Sequence, residues 1–109
     1  MSILALKNRT VVVVENDTFT RETVEKLLSE LGASKIVQAA SGEDAMTLGA
    51  TGGNVDLMIS EIGLPGMSGL DLLKSIRMGQ SGLDRATPFV VLTSYSRRSL
   101  VDLALNLDV

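Results

Sequence analysis

The chain has 109 residues, enough for one domain but too few for two independent cores. It contains no His and no Cys, which excludes imidazole catalysis, thiol chemistry, disulfides and the usual transition-metal ligands, and leaves only hard, oxygen-bound cations. A formal net charge of -3 lacks the cationic excess that drives nucleic-acid binding, and wholly apolar runs of no more than four residues fall far short of the roughly 20 that span a bilayer. No nucleic-acid partner and no membrane insertion are therefore expected of this domain, and a cytoplasmic location is the default.

Hydrophobic residues make up 45% of the chain and aromatics 3%, so the core must be built from Val, Leu, Ile, Met and Ala. "TVVVVEN" at 10–16 is a β-branched run with polar ends, which predicts a strand buried on both faces. In "DTFTRETVEKLLSELG" the period changes. Val24, Leu27, Leu28 and Leu31 recur at helical spacing, with Asp17 or Thr18 placed to cap the start and Gly32 the end. "SKIVQAA" reads as a short strand, and "SGEDAMTLGA" as a short helix opened by Ser41 with Asp44 at capping-box spacing.

After the turn cluster "TGGN" at 51–54, "VDLMISE" is the third strand. Ser68 and Asp71 repeat the capping-box spacing ahead of Leu70, Leu72, Leu73 and Ile76, which predicts a third helix. "GQSGLDRATP" is a polar loop, "FVVLT" at 89–93 a fourth buried strand, and Ser96 opens a fourth helix through Leu107. Alternating apolar strands and amphipathic helices imply an α/β fold, a parallel sheet covered on both faces with right-handed crossovers.

Ligands of such sheets sit outside the carboxyl ends of the strands. There the sequence puts Glu15, Asn16 and Asp17 after the first strand, Glu61 after the third, and Thr93 and Ser94 after the fourth. Carboxylates with a hydroxyl and no imidazole suit Mg2+ or phosphate, although strands also end in polar residues simply because they end at the surface.

"VVVVEN", Arg21 in the first helix, "VDLMISEIGLPGMSG" and "PFVVLTS" together resemble the receiver domain of two-component response regulators, over nearly everything from Thr10 to Val109. The resemblance implies a flavodoxin-like, doubly wound sheet of strand order 2-1-3-4-5. In that family an aspartate ending the third strand accepts a phosphoryl group from a histidine kinase, acids after the first strand hold Mg2+, and a hydroxyl ending the fourth strand bonds the phosphoryl oxygen. A lysine ending the fifth strand completes the site. Carried over by the resemblance, Glu61 stands at the phosphoacceptor position and Glu15 and Asn16 at the acidic pair. Gly63 stands at the metal-ligating backbone carbonyl, Pro65 and Gly69 in the shaping loop, and Thr93 with Ser94 in the phosphate pocket.

Three departures follow. Glu61 replaces the aspartate, and its extra methylene is expected to push the carboxylate about 1.5 Å further into the pocket, where in-line transfer loses rate sharply. Asn16 replaces an acid, so Mg2+ binding is expected to be weak or absent. The sequence stops at Val109, before the fifth strand and its lysine, which suggests a receiver truncated at its C-terminal end or an exposed fourth strand covered by a second copy.

The expectation is a degenerate, pseudo-receiver-like signalling module and not an enzyme. It would act independently of phosphorylation through contacts with a histidine kinase or an output partner, with Glu61 either mimicking the phosphorylated state or silent. The alternatives are a conventional Mg2+-dependent receiver and a small flavin- or nucleotide-binding protein of the same fold.

Overall fold

Valine crowds its own helical turn but packs well on a pleated surface, so "TVVVV" forms a strand rather than a helix. In the computed structural model, which describes residues 6–50 and 54–92, it is β1 (Thr10–Val14). There follow α1 (Thr18–Glu30), β2 (Lys35–Ala39), α2 (Gly42–Ala50), β3 (Leu57–Glu61), α3 (Gly69–Arg77) and β4 (Phe89–Leu92). The strands are all parallel in the order β2-β1-β3-β4. From β1 the chain adds β2 on one side and β3 and β4 on the other, so the strand order reverses between β1 and β3, the switch point of a doubly wound fold.

Alternation along β1 divides the core. Val11 and Val13 join Leu57 and Ile59 of β3 under Val24 and Leu28 of α1. Val12 and Val14 join Met58 on the other face under Ala45 of α2 and Leu72 and Ile76 of α3. Both faces of the central strands β1 and β3 are thus covered, and each fully buried Val, Leu or Ile contributes about 1.5–3 kcal/mol relative to exposure.

The helix ends follow the sequence closely. Asp17, rather than Thr18, is the N-cap of α1: its Oδ2 accepts from the Thr20 N–H at 2.8 Å and from the Thr20 hydroxyl at 2.7 Å. The far end closes in a Schellman motif, with Gly32 at φ 101° and its N–H donating to the Ser29 carbonyl, and the Ala33 N–H donating to the Leu28 carbonyl. Ser41 Oγ accepts from the Asp44 N–H at 3.0 Å, and Ser68 and Asp71 form a complete capping box on α3.

Some expectations are corrected. β1 ends at Val14, two residues early, although the Glu15 N–H still donates to the Ala39 carbonyl. Leu70, one of the apolar residues expected to mark α3, is 52% exposed, because it stands two positions before the buried Leu72, about 200° away around a helix whose core face is Gly69, Leu72 and Ile76. The four described residues of β4 are half-buried rather than buried. The polar loop before β4 is not solvated throughout: Ser81, Leu83 and Thr87 are buried in it. Arg77 donates to the carbonyls of Arg85 and Thr87, both at 2.8 Å, and thereby straps that loop to α3. The fourth helix expected from Ser96 lies outside the described residues.

Candidate functional site

At the carboxyl ends of β1 and β3 two acids come side by side. Val14 pairs with Ser60, so one residue further on Glu15 and Glu61 face each other across adjacent strands, whose usual spacing is about 4.8 Å. Glu15 is buried, at 7% exposure, and its Oε2 has no hydrogen-bond partner. Burial raises its carboxyl above the ordinary range, and the negative charge of Glu61 raises it further. Arg21 works against this in a small way and does more for position. Its guanidinium donates to the Glu15 carbonyl at 2.7 Å and to Gln38 Oε1 at 2.9 Å, fixing the backbone from which Glu15 projects.

Glu61 is half-buried and does not reach outward as its length suggested. Its Oε1 accepts from the N–H groups of Ile62 at 3.0 Å and Gly63 at 3.3 Å. The carboxylate is turned back onto the N–H groups of its own loop. Asn16 is exposed. Asp17 is committed to Thr20, which holds its carboxyl below the usual range, and so it is a cap and not a further ligand.

The β3–α3 loop is shaped by close contacts. The Gly69 N–H donates to the Ile62 carbonyl at 3.0 Å, and a Cβ at Gly69 would collide with the Glu61 carbonyl oxygen. Only glycine allows α3 to start that close to the end of β3. Gly66 has φ 71°, and Glu43 from α2 accepts from the Met67 N–H at 3.4 Å. Gly63 differs, since a Cβ there would meet nothing within 4 Å, and its place in the site rests on its backbone alone. Pro65 is exposed in the middle of the loop, next to the buried Leu64. Thr93 and Ser94 lie outside the described residues.

Sequence reasoning missed the part played by Glu43. Near a helix start it reads as an acid favoured by the helix dipole, and nothing local signals that it reaches a loop 24 residues away. Among the described residues no group of three or more acids gathers to hold a metal ion. The unpartnered, buried Glu15 oxygen beside a second carboxylate is nevertheless an arrangement that a cation would relieve.

Comparison with known proteins agrees with the fold. The model of the response regulator receiver domain matches residues 11–109. Chemotaxis protein CheY-3 of Vibrio cholerae is 28% identical over 101 residues, covering 93% of this chain and 75% of that protein. The Regulator of RpoS of Escherichia coli is 34% identical over 104 residues, covering 95% of this chain and 29% of that longer protein. Among solved structures, CheY4 of Vibrio cholerae superposes with a TM-score of 0.75 at 21% identity, covering 91% of this chain and 98% of that one. TrrA of Thermotoga maritima, in complex with Mg2+ and BeF, gives 0.70 at 27% identity, with 91% and 98% covered. With its parallel β2-β1-β3-β4 sheet and its acids at the ends of β1 and β3, the chain belongs to the response regulator receiver domain family of two-component signalling.

Proposed function

We propose that this receiver-type domain signals independently of phosphorylation, through protein contacts, and has no catalytic activity of its own. The observation that carries this reading is the engagement of Glu61 Oε1 by the Ile62 and Gly63 N–H groups, which turns the carboxylate away from in-line attack on a phosphoryl donor. Asn16 supports it, because a neutral amide in place of an acid weakens any cation site that would steady the phosphoryl oxygens.

Glu15, with the Gly63 carbonyl and Asn16, would hold Mg2+ weakly. A cation bound there supplies charge neutralisation between Glu15 and Glu61. Thr93 and Ser94 are proposed for the phosphate side of the same pocket. The partners are a histidine kinase or an output protein, docking on the β4 side, where Phe89–Leu92 are half-buried; a second copy of the chain fits the same side.

Incubation with acetyl phosphate and Mg2+ tests the reading. No stable phosphoprotein is expected. Rapid labelling that disappears in Glu61→Gln would restore a phosphorylatable receiver. The double replacement Glu61→Asp with Asn16→Asp is expected to move labelling towards that of an ordinary receiver, since it restores both carboxylates at their usual reach.

A further inference from the structure

The loop after β3 and the start of α2 are fitted to each other through Met67. Its side chain is half-buried and packs against the core cluster beneath α2 and α3. A Cβ on Gly42, the first residue of α2, would lie 3.1 Å from Met67 Cγ, from its Sδ and from its carbonyl oxygen. Gly42 is buried, so the missing side chain there opens a narrow seat for the thioether. Glu43, next in the helix, accepts from the Met67 N–H at 3.4 Å, and its carboxylate lies against Gly66, which has φ 71°.

The seat grips the side chain by its carbon and its sulfur, and sulfur is the atom of methionine that takes up oxygen. Other methionines lack this combination of access and fit. Met58 is wholly buried, and Met78 is 55% exposed where α3 ends.

We propose that Met67 is an oxidation site whose sulfoxide unseats the β3–α3 loop from α2, the oxidant being a hydroperoxide. Sδ attacks one peroxide oxygen, and the S–O bond forms as the O–O bond breaks. Sulfur loses two electrons to the peroxide, whose departing oxygen takes up a proton and leaves as water or an alcohol. The product is bulkier and polar where the thioether was flexible and apolar. A seat too narrow for one further carbon at Gly42 has no place for it, so the side chain swings out to solvent. The Met67 N–H then leaves Glu43, and the loop that carries Gly63 loses its tie to α2. This input needs no phosphoryl group and is independent of whether Glu61 accepts one.

Leucine conserves the volume of methionine and carries no sulfur, so it makes the matched control. The full chain with Met46→Leu and Met78→Leu, and the same chain with Met67→Leu added, are treated with hydrogen peroxide. Peptide mass mapping and the amide NMR signals of Gly42, Glu43 and Gly66 follow the reaction. With Met67 present, that residue should gain one oxygen atom before Met58 does, and the three signals should shift in proportion to the fraction oxidised. Methionine sulfoxide reductases with a dithiol reductant should return both mass and signals. The chain with Met67→Leu should show no shift. Gly42→Ala, which crowds the seat without any oxidant, should displace the Gly66 and Met67 signals. The proposal is overturned if Met67 sulfoxide forms while the Gly42 and Glu43 signals stay in place, or if the Met67→Leu chain shifts equally. It is also overturned if Met67 is oxidised only together with Met58, the mark of global unfolding, or if Gly42→Ala leaves the loop signals unmoved.

Discussion

Replacing Gly69 by alanine would drive a methyl carbon into the Glu61 carbonyl oxygen and to 3.1 Å from both the Glu61 carbonyl carbon and Ile62 Cα. All three atoms are backbone, and they belong to a strand end hydrogen-bonded to β4 and to a peptide held by the Gly69 N–H itself. None can retreat without breaking one of those bonds. Overpacking of this kind costs about 1–3 kcal/mol. For a domain of this size each kcal/mol lowers Tm by roughly 4–8 °C, so a fall of roughly 4–24 °C is expected in thermal denaturation followed by circular dichroism. The matched control is Gly63→Ala, whose new methyl would meet nothing within 4 Å. That change should stay within about 0.5 kcal/mol of the wild type. If the two variants melt together, the close approach of α3 to β3 is not what shapes the loop.

Ser68→Ala removes the capping box of α3 and should cost about 0.5–2 kcal/mol in urea denaturation, with the m-value unchanged. Glu15→Gln should stabilise the protein by about 1 kcal/mol at neutral pH, since it removes a buried charge with an unpartnered oxygen. The Glu15 carboxyl is raised from its ordinary 4.5, so below that value both folded and unfolded states are protonated and Glu15 carries no penalty. The penalty grows as pH rises from 4.5 through the folded value, and the gain from Glu15→Gln should follow the same course. Asp17 has the opposite sign: its lowered carboxyl contributes stability above its ordinary 3.8, and that contribution is lost as pH falls through the folded value. Asp17→Asn should therefore flatten the acid limb of the stability profile. Arg21→Ala should cost about 1–3 kcal/mol through its bonds to Glu15 and Gln38, and broaden the NMR signals at the end of β1.

Elements written in local chemistry were legible in the sequence. The valine run, the Asp17 cap, Gly32 at the end of α1 and the Ser68–Asp71 box each depend on residues within four positions of one another, and all formed, with the strand two residues shorter than read and Asp17 chosen over Thr18 as the cap. Placement at the strand ends followed from the parallel topology, which brought Glu15 and Glu61 together. What the sequence hid was side-chain direction. Glu61 was expected to project into the pocket, yet its Oε1 accepts from the two amides next to it in the chain. Leu70 is apolar but stands out of phase with the buried Gly69, Leu72 and Ile76, so its side of α3 faces outward and the residue type alone did not tell which leucines pack. Glu43 and Arg77 act across loops, over sequence separations that no local pattern encodes. Gly63 and Gly69 look alike in sequence and differ entirely in need, because only one of them has backbone pressed against it.

The central claim is that Glu61, held by the amides of Ile62 and Gly63, does not accept a phosphoryl group. Intact-protein mass spectrometry of the wild type after incubation with acetyl phosphate and Mg2+ measures this directly. The expected spectrum is a single unmodified species at every time point. A phosphorylated species that accumulates and is absent from Glu61→Gln would contradict the account.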